Sequence, residues 1–336
     1  ARYRDDQTDR SNEFGLETSV IRELGRYRFL TLRHRYSSRH VLDYRLGSGS
    51  TIDLRTLLAL AANGSLSGLN RNIERSTVSI STSLGHTDPT HIARGLQLLP
   101  SYEITTPPTH NTIEFSHAEL PFSAYVPLAK RVAFAMNARI GRVSPFGKTV
   151  AGGGTTVDPL VAVQMRDVLL TAGGTGSVRG WGNGLLGPKQ LNLQFKTLAG
   201  GDSVQITGTD GYIPAGGLAR TTAQFELRLP FPGLSEMWGT HVFVDAGRVW
   251  TTDPQFKRAN VNNEERWFYS TGAGIDINTI VGPIRVSLGY KMNPSPLDVR
   301  SASDVLKAIS AGLPATSAPV RSALRRQIHI SLGQRF

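Results

Sequence analysis

The sequence predicts an all-β chain that crosses a membrane as an antiparallel β-barrel. Three observations carry that expectation. Segments of about 9–12 residues alternate apolar and polar side chains, close to the ~9–11 that a tilted spanning strand needs. No stretch approaches the ~18–20 consecutive apolar residues of a spanning helix, and the richest run, 57–62, is far too short. Connectors alternate between short (47–50, 86–91, 126–129, 231–238, 279–282) and long (62–76, 143–218, 251–266, 293–325), as expected of tight periplasmic turns and long outer loops. A soluble β-sandwich also alternates, but its strands run only ~5–6 residues. It would also not set Arg, Glu, Lys and Asp at mid-strand against a second sheet.

Taken in order, Phe14, Leu16 and Val20 oppose Glu13, Gly15 and Glu17, and Ile52, Leu54, Leu58 and Leu60 oppose Asp53 and Arg55. Val78, Ile80 and Leu84 then alternate with three serines. A strand sends successive side chains to opposite faces, so each such segment has one greasy and one wet face. Over 111–125, Ile113 and Phe115 fall on the opposite parity to Ala118, Leu120 and Phe122, which suggests a bulge. Val132, Phe134, Met136 and Ile140 oppose Asn137 and Arg139. After the long link 143–218, which must lie outside or fold back into the lumen, Phe225, Leu227 and Leu229 oppose Gln224, Glu226 and Arg228. Segments 240–250 and 267–279 are noisier strands. Ile284, Val286, Leu288, Tyr290 and Met292 alternate with Arg285, Ser287, Gly289 and Lys291. Within 293–325, Ser303 can cap a short helix that Gly312 and Pro314 stop, with Val305, Leu306 and Ile309 as its apolar face over the barrel mouth. The last strand sets Ile328, Ile330, Leu332 and Phe336 against Gln327, His329, Ser331, Gly333 and Arg335. About thirteen strands are readable.

Composition fits. Charged residues make up 19% of the 336, below the ~25% of an average soluble domain, and 35 glycines suit a chain rich in turns. The absence of cysteine excludes a disulfide framework and a thiolate site. The net charge is +11, and Arg321, Arg325, Arg326 and Arg335 have no acid beside them. Anionic lipid headgroups of an outer membrane are the expected counterpart, rather than nucleic acid. No charged-then-apolar leader opens the chain, so a signal peptide is expected to have been removed or never present.

Gly173, Gly174, Thr175, Gly176, Ser177, Val178, Arg179, Gly180, Trp181 and Gly182 form the most distinctive run. A phosphate cradle would need a following helix and a lysine at fixed spacing. Asn183, Gly184, Gly187 and Pro188 forbid that helix, so the run reads as a tight turn presenting one Arg and one Trp. Val178–Trp181 after a Gly-Gly pair resembles the signature of the BamA/TamA-type outer-membrane assembly and translocation proteins. Phe243, Asp245 and Gly247 match that family's F-x-D-x-G strand, and 280–290 resembles its penultimate hairpin. The terminal Gly333 to Phe336 resembles an aromatic-ended barrel signal. The likeness covers about 120–336.

This resemblance implies a sixteen-stranded barrel over 1–336, lacking up to three first strands and any periplasmic POTRA repeats. It implies that 143–218 folds into the lumen, where Arg179 pairs with Asp245 and Phe243 shares the inner face. The implied activity is assembly or insertion of barrel substrates at a seam between first and last strands, in a bacterial outer membrane rather than a mitochondrial or plastid one. The alternatives are a two-partner-secretion pore and an inert barrel subunit. Unfolded barrel or secreted polypeptides and accessory subunits are the implied partners. No cofactor and no catalysis are expected. The eight histidines are scattered without ligand spacing, and there is no G-x-S-x-G elbow. Glu226, Asp245 and Asp276 are expected to line the lumen, paired with Arg139, Arg228, Arg285 or Lys291.

Overall fold

The computed structural model describes residues 2–5, 9–44, 47–48, 72–88, 94–106, 111–150, 165, 167–197, 204–235, 237–251, 265–279 and 282–332. Among them the strands are β1 (Arg2–Asp5), β2 (Asp9–Gly25), β3 (Arg28–Tyr44), β4 (Gly47–Ser48), β5 (Asn72–Asp88), β6 (Arg94–Leu98), β7 (Ser101–Thr105) and β8 (Phe115–Ala129). There follow β9 (Val132–Pro145), β10 (Lys189–Thr197), β11 (Val204–Pro214), β12 (Ala219–Pro230), β13 (Trp238–Trp250), β14 (Phe268–Thr279), β15 (Gly282–Lys291) and β16 (Arg326–Leu332), with one helix, α1 (Ala302–Ser310).

Thirteen strands form one antiparallel sheet in the order β1-β2-β3-β5-β6-β8-β9-β12-β13-β14-β15-β16, with β7 also between β5 and β8. β6 and β7 share one lane, split at Leu99-Pro100. Pro100 cannot donate to the ladder, but its carbonyl still accepts from the Thr82 N–H at 3.0 Å. A run of 9–12 residues understates the amino-terminal strands, because β2, β3 and β5 each extend over 17. β5 therefore begins inside what the sequence reads as the 62–76 link. The alternating segment 52–60 and most of 251–266 lie outside the described residues.

The two faces differ as the alternation requires. Leu120, Ile140, Phe225, Val244, Ile275, Leu288 and Ile330 are exposed on the outer face, an apolar band suited to hydrocarbon. On the inner face His241, Asp245 and Glu226 are buried. Ile113 and Phe115 explain their own parity. The β8–β9 ladder runs without a break from Phe115 to Pro127, so no bulge separates them from Leu120. Instead they face inward, where Met165, Val168 and Leu170 of the long link cover them together with Val143 and Leu218. The inner face is dry there, so apolar side chains are favoured on it.

The long link is not all loop. β10 and β11 form a hairpin within it, and β4 pairs with β10 through Leu191↔Ser48 and Asn192↔Gly47. Gly47 and Ser48 therefore extend a second sheet rather than simply making a turn. Helix α1 packs on this hairpin: Ala302, Val305, Ala308 and Ala318 bury with Leu191 and Leu193, flanked by Ile206 and Tyr212. Ser301, not Ser303, is the N-cap, accepting from the Asp304 N–H at 3.2 Å. Gly312 leaves the helix with φ +75°.

Ionic contacts hold the cap. Lys189 pairs with buried Asp298, and Arg300 donates to the carbonyls of Pro296, Thr316 and Ala318. Burial pushes the Asp298 carboxyl up, but the Lys189 ammonium outweighs it, and the group titrates below the usual carboxylate range. Arg321 is not without an acid: its guanidinium reaches Asp304, seventeen residues earlier in the chain, at 2.6 Å.

Candidate functional site

The site is the inner face of β12 to β16 and the segment that lies on it. Gly173 and Gly174 take φ of +111° and +99°, a region closed to most side chains. That turn lets Gly174 N–H reach the Trp181 carbonyl at 3.0 Å, so residues 174–181 close into a compact loop. Its tip presents Val178, Arg179, Gly180 and Trp181 to the wall. All four are buried.

Each tip residue meets a wall position where its own shape fits. Val178 lies over Gly247, where an added Cβ would stand 2.7 Å from the valine methyl. Gly180 lies against Gly289 and Ser270; a Cβ on Gly289 would come within 2.6 Å of the Gly180 nitrogen. Trp181 packs edge-on to Phe268 with ring centroids 5.5 Å apart, in a cluster with Ala172, Leu186 and Val249. Gly180 N–H donates to His329 Nε2 at 3.1 Å, which fastens the loop to the last strand.

Arg179 carries the electrostatics. Its Nε and Nη2 both reach Asp245 at 2.9 Å, a bidentate fork, and its backbone N–H donates to the same carboxylate at 2.9 Å. Nη1 reaches Glu226 at 2.5 Å. The guanidinium carbon sits 3.6 Å from the centre of the Phe243 ring, so one face of the planar cation is covered by the aromatic. Phe243 has room because Gly272 is directly opposite it in the ladder. Glu226 also accepts from Arg228 at 2.8 Å and from Arg285 at 2.5 Å. Arg285 continues to Asp276 at 2.8 Å, and His241 bridges Asp276 and Ser287. Three carboxylates face three guanidinium groups. Buried charges persist when they are paired and hydrogen-bonded, and this set is both.

Every motif residue predicted inward falls on this inner surface: Phe243, Asp245 and Gly247 on β13, and Gly173 to Trp181 on the loop. Asp276 and Glu226 do pair with Arg285 and Arg228, whereas Arg139 lies near Glu119 and Lys291 donates to the Leu324 carbonyl. Ile328, Ile330 and Leu332 project outward from β16 and are exposed. Gly333 and Phe336 lie outside the described residues.

Sequence reasoning missed Glu226 as a second partner of Arg179, placed Gly289 and His329 on the wet face without linking them to the loop, and did not single out Gly272. Their signal was parity: all four sit on inward positions, and glycine at an inward position marks a close approach. Among the described residues no group of three or more His, Asp or Glu side chains is placed to hold a metal ion. His241 stands between the Ser287 hydroxyl at 2.8 Å and the Asp276 carboxylate at 3.1 Å, on the wall beside the docked loop. The arrangement can hold a loop rigidly against a strand wall.

The Omp85 superfamily domain matches residues 2–336. Among solved structures, BamA from Haemophilus ducreyi lacking POTRA domains 1-3 is similar at 19% identity and a TM-score of 0.61, over 85% of this chain and 52% of that one. The present chain thus spans about half the length of that structure. CdiB from Acinetobacter baumannii shares 14% identity over 85% of this chain and 39% of its own, with a TM-score of 0.42. CdiB from Escherichia coli shares 15% over 86% and 44%, also at 0.42. At such identities the likeness to BamA is one of fold.

Proposed function

The chain belongs to the Omp85 superfamily, and from that premise we propose that it is the barrel of a bacterial outer-membrane assembly factor that inserts β-barrel substrates at the edge of its last strand. The observation that carries this reading is the position of β16. It pairs with β15 from Arg326 to Leu332, and among the described residues no strand lies on its other edge. Its outward residues Ile328, Ile330 and Leu332 are among the most exposed apolar side chains of the described residues, at 63%, 72% and 65%. In hydrocarbon, unpaired N–H and C=O groups are costly, so such an edge favours addition of a further strand. The docked loop steadies this edge from inside through Gly180 and His329. Lipid, including anionic headgroups near Arg325 and Arg326, and unfolded barrel polypeptides are the partners this mechanism requires.

The absence of native cysteine allows a direct test. Ser331→Cys on β16 and, as a control, Ala246→Cys on β13 are each paired with a substrate carrying single cysteines along its terminal strand. Disulfide adducts that form during insertion from Ser331→Cys and not from Ala246→Cys are expected. Equal adducts from both positions, or none from β16, refute the edge mechanism.

A further inference from the structure

The loop that carries Arg179 holds a second buried charge upstream. Asp167 places one carboxylate oxygen 3.1 Å from Arg75 of β5 and 3.5 Å from Arg39 of β3, with the acid side chain 5% exposed. Arg75 also lies 5.8 Å from the centre of the Phe115 ring. Around Asp167, Met165, Val168 and Leu170 bury against Ile113, Phe115, Val143 and Leu218. Leu170 exchanges two backbone hydrogen bonds with Gly217, at 2.8 and 2.9 Å. This end of the segment is therefore fixed by charge, by apolar contact and by backbone.

The two ends are electrostatic opposites. At one end, a loop acid meets two wall bases on β3 and β5. At the other, the loop base Arg179 meets two wall acids on β12 and β13. The lanes of β6/β7, β8 and β9 separate the two wall sites in the sheet. Reversed docking would bring Asp167 to Glu226 and Asp245, and Arg179 to Arg39 and Arg75. Like charges would then meet in a buried space, so each end is complementary only to its own wall.

We propose that Met165 and residues 167–181 belong to a two-ended strap across the lumen, and that Asp167 is its second anchor, positioned by Arg39 and Arg75. Loss of the Asp167 charge removes the acid that Arg39 and Arg75 share, which frees that end from the wall and opens the lumen to ions. The Arg179 end and its link to β16 stay docked. The strap does not depend on whether the barrel inserts or exports polypeptide.

Single-channel recording of the full chain in planar lipid bilayers tests it. Asp167→Asn is expected to raise the frequency of open events at least tenfold while the heat-modifiable gel mobility of the folded barrel is kept. Asp167→Glu, which retains the charge, is expected to return the frequency to that of the unaltered chain. A rescue by charge would not follow from mere loss of packing. Should Asp167→Asn fail to fold, the paired variant Asp167→Cys with Arg75→Cys replaces it: open when its thiols are free, silent when they are bridged by a short bis-thiosulfonate reagent. An unchanged frequency in folded Asp167→Asn, or a bridged pair as conductive as the unbridged one, overturns the proposal. Because conductance is read without any substrate, this result stands apart from the insertion test.

Discussion

Replacing Arg179 by alanine removes the cation that three buried hydrogen bonds tie to Asp245 and Glu226, and it uncovers the Phe243 ring. The two acids do not suffer equally. Glu226 keeps Arg228 and Arg285, whereas Asp245 keeps the backbone N–H of residue 179. Leaving one charge of a buried pair uncompensated costs about 3–5 kcal/mol, and most of that cost is predicted to fall on Asp245. Asp245→Ala should cost less, about 1.5–3 kcal/mol, the worth of charged hydrogen bonds, because Arg179 retains Glu226. With both removed, no acid is left stranded, so the double variant should cost no more than Arg179→Ala alone. The expected coupling is therefore about 2 kcal/mol or more, well beyond the ~0.5 kcal/mol within which independent sites add. The cycle is measured by urea titration in detergent, following the heat-modifiable gel mobility of the barrel and the fluorescence of Trp181 and its neighbours. Costs that simply add would show that Arg179 and Asp245 do not act as a unit in holding the loop to the wall.

Three other outcomes follow from the same geometry. Gly289→Val should lift the loop tip off the wall, because a Cβ there meets the Gly180 nitrogen at 2.6 Å, whereas Gly176→Ala, with nothing within 4 Å, should be silent; protease cleavage within 165–186 reports the difference. The contribution of Asp298 to the cap should be fully present above the ordinary carboxylate range and fade as pH falls through its depressed value, since its folded form holds the proton less tightly than the unfolded chain. Proteolysis within 297–325 should accordingly accelerate in acid, and Asp298→Asn should remove that dependence. Val244→Arg on the outer face should cost about 2–4 kcal/mol in bilayers if it lies near the membrane midplane, by titration against the unaltered barrel.

Much of this architecture was legible from alternation alone. The odd positions of β13 and the even positions of β12 point inward as parity requires; the meeting of the loop motif with its F-x-D-x-G partner is implied by the family resemblance, not by alternation. What parity cannot supply is height along the barrel. It assigns Glu226, Asp245 and Asp276 to one face but not which guanidinium stands level with which acid. That depends on interstrand register, which selects Arg228 and Arg285 from the four candidate cations and leaves Arg139 beside Glu119 and Lys291 at the Leu324 carbonyl. The expectation of a wet lumen also misread Ile113 and Phe115 as a bulge, because the loop that dries that part of the face is remote in sequence. The hairpin β10–β11 did leave a trace: Leu191, Leu193 and Phe195 alternate with Gln190, Asn192 and Gln194. A link already taken for a loop hid it. The ion pair of Arg321 with Asp304 needed the helix to exist before its partners could be seen as neighbours.

The central proposal is that the barrel speeds insertion of other barrels into a membrane without covalent chemistry. Liposomes containing the purified chain, given an unfolded β-barrel substrate, measure it most directly. The account predicts that the substrate becomes heat-modifiable and protease-protected several times faster than with empty liposomes, and that Arg179→Ala loses the acceleration. Folding no faster than in empty liposomes, or passage of a secreted polypeptide into the vesicle interior in its place, would contradict it.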